Sequence, residues 1–167
     1  MHSPARTWSD LLLPLAPVFL GDTWELTSTA STSTTFGAGC GAPPLRLDPV
    51  AAAPPAIGAT ALVAISDIPA TIAVMALGWN RQWLGPLALP LSLDAVGMPG
   101  CELLHSAEAF GLAVTFSGAG TATFAQPVPN HAALLGQHDY LQAFAVAPGA
   151  NPRQVVASNG VDWGFGY

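Results

Sequence analysis

The chain has 167 residues, which suits a single domain; 51% are hydrophobic, only 8% are charged, and the formal net charge is -6. All four cations are arginines, so no basic patch could neutralise phosphates, and nucleic-acid binding is excluded as a function. High hydropathy with few charges also excludes an intrinsically disordered chain. A surface with so few charges favours contact with copies of the same chain, or with a neutral ligand such as a glycan.

The first predicted element is an apolar N-terminal arm, residues 1–21. Arg6 before an apolar run gives a weak outline of a signal peptide, but Pro14 and Pro17 interrupt the run. The run is also shorter than the roughly 20 apolar residues that cross a bilayer. We therefore expect the arm to belong to the folded protein, without membrane insertion. The residues predicted to self-associate are Leu11, Leu12, Leu13, Leu15, Val18, Phe19 and Leu20.

Two positions of the arm are compatible with its sequence. Burying ten apolar residues removes about 600–1,000 Å² from water, worth about 15–25 kcal/mol before ordering costs, and leaving them exposed favours aggregation. In one position each subunit places its arm along the sheet of the next, which gives a head-to-tail contact that can propagate into a fibre. In the other, the arm is an edge strand of its own domain. Pro14 and Pro17 lack an N–H and count partly against simple strand addition.

Residues 22–167 are predicted to form one all-β domain, a two-sheet β-sandwich of jelly-roll or immunoglobulin-like type. The basis is 17 glycines and 16 prolines, with turn signals every eight to twelve residues. One helical turn is predicted in NHAALLG, with Asn130 as its N-cap and Gly136 as its end. TSTASTSTTFG is either a strand or a linker, and FGLAVTF followed by SGAG and TATFAQP predicts a hairpin. The predicted strands are 22–29, 59–66, 71–78, 87–93, 101–105, 110–117, 120–127, 140–147 and 154–158.

Cys40 and Cys101 are the only cysteines, and both lie beside glycines. An even count in a chain rich in glycine and proline suggests one disulfide and an oxidising compartment. Closing so long a loop would stabilise the fold by about 4 kcal/mol. The alternative is two buried free thiols.

The segment GWNRQWLGP is the most distinctive candidate for ligand binding. Trp79 and Trp83 flank Asn80 and Arg81, and two indoles with an amide and a guanidinium suit stacking on a sugar or capture of a partner. The favoured alternative is that one or both indoles fold back onto the sandwich, because large aromatic side chains usually bury most of their area.

A metal site is a weaker candidate. His131, His138 and Asp139 lie close in sequence, and His105 could join them. The segment QHDY before a strand is more typical of a turn with a polar edge. Asp67 and Asp94 lie in no DxDxD-type loop, so calcium binding is not predicted.

No catalytic signature is found. Ser106, Ser117 and Ser158 lie outside any GxSxG elbow. Glu102 and Glu108 could act as paired carboxylates for glycoside hydrolysis, but solvated turn acids are the simpler interpretation. SGAGT lacks a lysine and opens no helix, so phosphate binding is not predicted either.

Four segments together resemble a module found in secreted proteins of planctomycetes and other environmental bacteria. They are STTFGAGC, LPLSLDAVGMPGCELLHS, PVPNHAALLGQHDYLQAFAVAPGAN and VVASNG, and the resemblance covers residues 30 to 160 approximately. It implies a secreted β-sandwich in which Cys40 and Cys101 pair. Such modules often lie at the end of larger extracellular proteins, and they supply no catalytic residues to transfer.

The sequence thus predicts a secreted, non-enzymatic structural protein without a cofactor. Its expected partners are other copies of itself, in an extracellular filament or a surface layer at the cell surface. The alternative is a lectin-like module that binds carbohydrate through its tryptophans.

Overall fold

The computed structural model describes residues 29–167. The predicted arm, with all its self-association residues, and residues 22–28 of the first predicted strand lie outside this described part. Within it, the chain forms a two-sheet antiparallel β-sandwich, which confirms the predicted fold class.

The described residues form 13 strands and two short 3₁₀ turns. The turns are Asp94–Val96 and Ala132–Leu134. The strands are β1 Thr32–Phe36, β2 Arg46–Pro49, β3 Thr60–Ser66, β4 Ala73–Gly78, β5 Trp83–Leu84, β6 Leu87–Ala88, β7 Leu91–Ser92, β8 Glu102–Leu103, β9 Ala109–Leu112, β10 Thr115–Gly118, β11 Thr121–Pro127, β12 His138–Val146 and β13 Val155–Gly164.

The front sheet has the strand order β1-β13-β12-β4-β9, and the back sheet has the order β10-β11-β3-β2. Two small ribbons, β5-β6 and β7-β8, lie outside these sheets. Neighbouring strands pair antiparallel throughout, for example β12 with β13 from His138–Gly164 to Val146–Val155.

The core forms where the inward-facing rows of the two sheets meet. In β3 the buried residues alternate with half-buried ones, because successive side chains point to opposite faces of a strand. Val63 and Ile65 of the back sheet belong to the same buried cluster as Val161 and Trp163 of the front sheet. Trp163 is fully buried, and it is the largest side chain in this core.

The chain changes sheets within the predicted strand 110–117, which the structure divides into β9 and β10. β9 is an edge of the front sheet and β10 is an edge of the back sheet. Gly111 has a φ of +85°, a value that side chains other than glycine rarely tolerate, and it is the extra residue of a bulge in β9 opposite Met75 and Ala76. The predicted hairpin of β10 and β11 is confirmed.

A long connection between β4 and β9, residues 79–108, covers part of the outer face of the front sheet; we call it the overlay segment. It contains both small ribbons and the first 3₁₀ turn. Gly78 allows its close approach: a Cβ there would lie 2.5 Å from Nδ1 of His105 and 2.7 Å from the backbone nitrogen of Ala107.

Several predicted boundaries were wrong. The strand predicted at 87–93 is divided between β6 and β7, and the one at 101–105 shrinks to two residues. β2 was not predicted, and β13 extends to Gly164, six residues beyond its predicted end. TSTASTSTTFG contributes strand β1. The side chain that caps the 3₁₀ turn is His131, whose Nδ1 accepts from the backbone N–H of Ala133, and not Asn130.

No helix within residues 29–167 is both long and apolar enough to cross a membrane.

Candidate functional site

A disulfide between Cys40 and Cys101 ties the overlay segment to the loop after β1. This confirms the predicted bond and excludes the alternative of two free thiols. The Cα atoms are 5.2 Å apart, and Sγ of Cys40 also accepts a hydrogen bond from the backbone N–H of Ala157 at 3.1 Å. The bond is consistent with an oxidising environment such as the extracellular space.

Gln142 on β12 fixes the same part of the overlay segment by hydrogen bonds. Its side chain is fully buried; Oε1 accepts from the N–H of Leu104 at 3.1 Å, and Nε2 donates to the carbonyl of Glu102 at 2.9 Å. Nε2 also donates to the carbonyl of Ser158 on β13 at 2.8 Å. One amide therefore joins two strands of the front sheet to the segment that lies over them.

His105 is buried between the overlay segment and the front sheet. Burial lowers its pKa to about 4, although the nearby carboxylate of Glu108 acts in the opposite direction. Nδ1 accepts from the N–H of Ala107 at 3.0 Å, so the neutral ring carries its proton on Nε2. Nε2 is buried and has no hydrogen-bond partner among residues 29–167.

The Trp79–Trp83 loop is held by hydrogen bonds between side chains and backbone N–H groups, centred on Asn80. Oδ1 of Asn80 accepts from the N–H groups of Gln82 at 2.7 Å and Trp83 at 3.0 Å, and the N–H of Asn80 donates to Oγ of Ser106 at 3.1 Å. The expected burial of the indoles was wrong, since Trp79 is 67% exposed and Trp83 is 52% exposed. The amide of Asn80 shapes the loop, while the two indoles remain accessible to a ligand.

Arg81 turns onto the outer face of the front sheet. Its guanidinium lies 4.8 Å from the ring centroid of Phe36, and one Nη is 3.5 Å from Oδ2 of Asp162. The other carboxylate oxygen of Asp162 contacts Nδ1 of His138. Of the four predicted ligand-binding residues, Asn80 and Arg81 thus have partners within the protein.

Glu108 anchors the first residue of this loop. Its Oε2 accepts from the N–H of Trp79 at 3.1 Å and from Oγ of Ser106 at 2.6 Å. Burial favours a raised pKa, but these hydrogen bonds, together with one from its own backbone N–H and the nearby His105, outweigh it and the pKa of Glu108 is lowered. Glu108 therefore acts as a structural hydrogen-bond acceptor, a role that sequence reasoning missed.

An apolar groove of about 580 Å³ lies between the overlay segment and the front sheet. Val74, Phe144 and Val155 line it from the sheet, and the overlay segment contributes Leu93, Met98 and Leu103. This part of the overlay segment is joined to the loop before β13 by a hydrogen bond from the side chain of Arg153 to the backbone of Val96. We refer to this feature as the apolar groove.

The rim of the apolar groove is also apolar. Ile72 is 56% exposed and Phe110 is 58% exposed, and the ring of Phe110 lies 5.1 Å from that of Phe144. Arg153 is the one charged residue in the lining, and its Nε donates to the carbonyl of Val96 at 2.7 Å. Exposed apolar surface of this kind is typical of a contact site.

A second concave site, of about 560 Å³, lies at one end of the sandwich; we call it the end cleft. Gln126 of β11 and Asp139 of β12 line it from the two sheets, and Trp79 and Gln137 contribute from adjoining loops. Burial raises the pKa of Asp139, while hydrogen bonding from the side chains of Gln126 and Trp79 counteracts part of this effect.

The metal-binding and catalytic arrangements that the sequence offered only as weaker candidates are not assembled within the described residues. Within residues 29–167 there is no group of three or more His, Cys, Asp or Glu side chains that could hold a metal ion. His131 caps a turn, His138 pairs with Asp162, and His105 is buried under the overlay segment. The hydroxyl of Ser158 is buried and bonds to the backbone of Ala143 and Asn159.

Both concave sites depend on residues that sequence reasoning did not single out. Val74 and Phe144 lie within ordinary strand patterns, and nothing in the sequence distinguishes them from core residues. Gln126 was a detectable signal, because a glutamine replaces an apolar residue in the inward-facing row of β11, after Ala122 and Phe124.

Comparison of the chain with protein-family models, with curated proteins and with solved structures gives no match, and the resemblance to the planctomycete module stays a prediction.

Proposed function

We propose that this protein is a secreted, non-enzymatic structural protein that self-associates, with the arm of one copy seated in the apolar groove of the next. The observation that carries the proposal is the groove itself. An apolar site with an exposed apolar rim favours an apolar occupant, and the arm supplies ten consecutive apolar residues within the same chain. Repetition of such a head-to-tail contact gives a filament or a surface layer.

The prolines of the arm do not oppose this mode of binding. Strand addition requires backbone N–H groups, which Pro14 and Pro17 lack. Filling a groove requires side chains of suitable size and polarity, and proline is itself apolar. The groove therefore removes the main objection that the sequence raised against an intermolecular role for the arm.

Charge complementarity supports the same occupant. Asp10 and Asp22 lie just outside the apolar run, so either direction of the arm brings a carboxylate to each end of the bound segment. Arg153 provides a cation in the lining. We expect an arm carboxylate to lie near this guanidinium in the assembled form.

Sedimentation velocity and negative-stain imaging of the full chain test the proposal. We expect assemblies for the intact chain, monomers after deletion of residues 1–21, and weaker assembly for Phe110→Ser. Phe116→Ser is the matched control, because Phe116 is an exposed phenylalanine on β10 that does not line the groove. A monodisperse monomer of the intact chain at high concentration would contradict the proposal.

A charge reversal tests which end of the bound arm lies near Arg153. Arg153→Glu should weaken assembly, and Asp10→Arg added to it should restore assembly if Asp10 is the carboxylate that approaches. Arg46→Glu serves as the control, since Arg46 lies on the back sheet and outside the groove. If Arg153→Glu and Arg46→Glu weaken assembly equally, the effect is one of general charge and not of a contact at Arg153.

A second candidate function is binding of neutral carbohydrate, and the exposure of both indoles favours it. Indole rings stack on the apolar faces of sugars, and solvent-exposed tryptophans are unusual unless they contact a partner. Glycan binding that survives deletion of the arm and is lost in Trp79→Ala would support this function. Absence of binding across a broad glycan array would contradict it.

A further inference from the structure

The end cleft brings together polar groups from both sheets at a place where the core ends. Gln126 continues the inward-facing row of the back sheet after Ala122 and Phe124. Asp139 holds the equivalent place in the front sheet, two residues before the fully buried Leu141. The cleft is therefore an open end of the sandwich in which polar side chains replace the core.

Trp79 lies at the edge of this cleft by register. β12 and β4 pair through Tyr140–Gly78 and Leu141–Leu77, so the next step places Trp79 beside Asp139. Trp79 also lies in the row of Met75 and Leu77, which face the core. Because the indole remains largely exposed, it offers an open aromatic face beside a carboxylate.

Gln126 supplies an acceptor without a partner. Its Oε1 is buried and has no hydrogen-bond donor among the described residues. A buried acceptor left unpaired is costly, and a small displacement of the amide into the adjoining cleft would allow a ligand hydroxyl to satisfy it. This second observation is independent of the exposure of Trp79.

We propose that the end cleft is a binding site for a neutral saccharide. The indole of Trp79 stacks on the apolar face of one sugar ring, while Asp139 accepts from ring hydroxyls and Oε1 of Gln126 accepts from another. The inference rests on the second function proposed above, and it moves the site from the pair of tryptophans to the cleft, in which Trp83 takes no part. The cleft volume lies within the range of small-molecule sites.

Charge determines the class of sugar. The carboxylate of Asp139 lies in the cleft, and the protein as a whole has a net charge of -6. An acidic sugar would place a second carboxylate near the first, which is unfavourable in a partly buried site. Neutral sugars are therefore expected to bind more tightly than uronic or sialic acids.

Saturation-transfer NMR tests the site on the full chain. The probes are neutral disaccharides of glucose, mannose, galactose and N-acetylglucosamine, with glucuronic acid and sialic acid as acidic probes. We expect binding of at least one neutral probe, an affinity loss of about tenfold or more in Trp79→Ala and in Gln126→Leu, and no loss in Trp83→Ala. Circular dichroism checks the fold of each variant.

The outcomes separate the cleft from the wider proposal. Equal losses in Trp79→Ala and Trp83→Ala would keep carbohydrate binding but overturn the cleft as its site. Tighter binding of the acidic probes would also overturn the proposed ligand class. No binding of any probe would overturn both the cleft and the second function, while assembly through the apolar groove would be unaffected.

Discussion

Two stretches of the overlay segment meet the same sheet in opposite ways. Near Gln142, the overlay segment is held by two hydrogen bonds of one buried amide, whose third bond goes to Ser158 on β13, and by the neighbouring disulfide at Cys101. Two residues further along β12, Phe144 faces the overlay segment across the apolar groove. A polar group with matched partners fixes a segment at one distance, whereas apolar side chains without a matching surface leave a groove between the segment and the sheet.

The largest expected effect comes from removing the disulfide that holds the overlay segment near Gln142. Replacing Cys40 and Cys101 with alanine should lower the free energy of unfolding by about 4 kcal/mol, because the bond links residues 61 positions apart and restricts the unfolded chain. Chemical denaturation of the variant and of the oxidised wild type measures the difference. A loss below about 1 kcal/mol would show that the other contacts hold the overlay segment without the bond.

Acid should lower the free energy of unfolding through protonation of His105, which lies under the same part of the overlay segment. The folded pKa is about 4 and the ordinary value is 6.5, so the unfolded state binds more protons between these values. The contribution of neutral His105 to the free energy of unfolding is complete above pH 6.5. About 3 kcal/mol of it is lost as the pH falls towards 4.

The variant His105→Asn isolates this effect, because it keeps an acceptor for the N–H of Ala107 without a titrating ring. Unfolding free energies of the two proteins between pH 7 and pH 4 should therefore converge as the pH falls. The lowered pKa of Glu108 also removes stability at acid pH, but both proteins share it. Parallel curves would show that His105 is not buried in its neutral form.

A smaller loss is expected for Gln142→Leu, about 2 kcal/mol, because it removes three hydrogen bonds and leaves the buried backbone groups around it unpaired. Gln82→Leu is the control, since Gln82 is exposed and its change should stay within about 0.5 kcal/mol. Hydrogen exchange at the N–H of Leu104 should increase in Gln142→Leu. Unchanged exchange there would indicate that the amide does not hold the overlay segment.

The smallest effect on stability is expected at the rim of the apolar groove. Phe110→Ser should change the unfolding free energy of the monomer by less than about 1 kcal/mol, because the side chain is mostly exposed. Denaturation of the variant without residues 1–21 measures this separately from assembly. A loss of several kcal/mol would mean that the groove is part of the monomer core and not a contact site.

The strands that the sequence predicted well are those with regular patterns. β3 and β11 begin and end within one residue of their predicted bounds, because β3 is a short apolar run between turn signals and β11 alternates apolar with polar side chains. β2 was missed because Arg46, Asp48 and Pro49 are unusual in a strand; it lies at the edge of the back sheet, where proline is tolerated.

β13 shows why local pattern was insufficient. Its second half, NGVDWG, contains residues that are depleted in strands. In the fold, Gly160 lies under the ring of Phe36 and Gly164 lies under Thr32, so a Cβ at either position would clash. These two glycines are therefore required by packing across the strands.

The sequence by itself determined the all-β class and most of the strands and indicated the pairing of its only two cysteines, because hydrophobic periodicity and cysteine count are local or compositional properties. Tertiary structure decided where the overlay segment lies, which indoles stay exposed and which polar side chains meet in the end cleft. These features arise from contacts between residues far apart in the chain, such as Gln142 with Leu104 and Gln126 with Asp139, and such distances leave no periodic signal in the sequence.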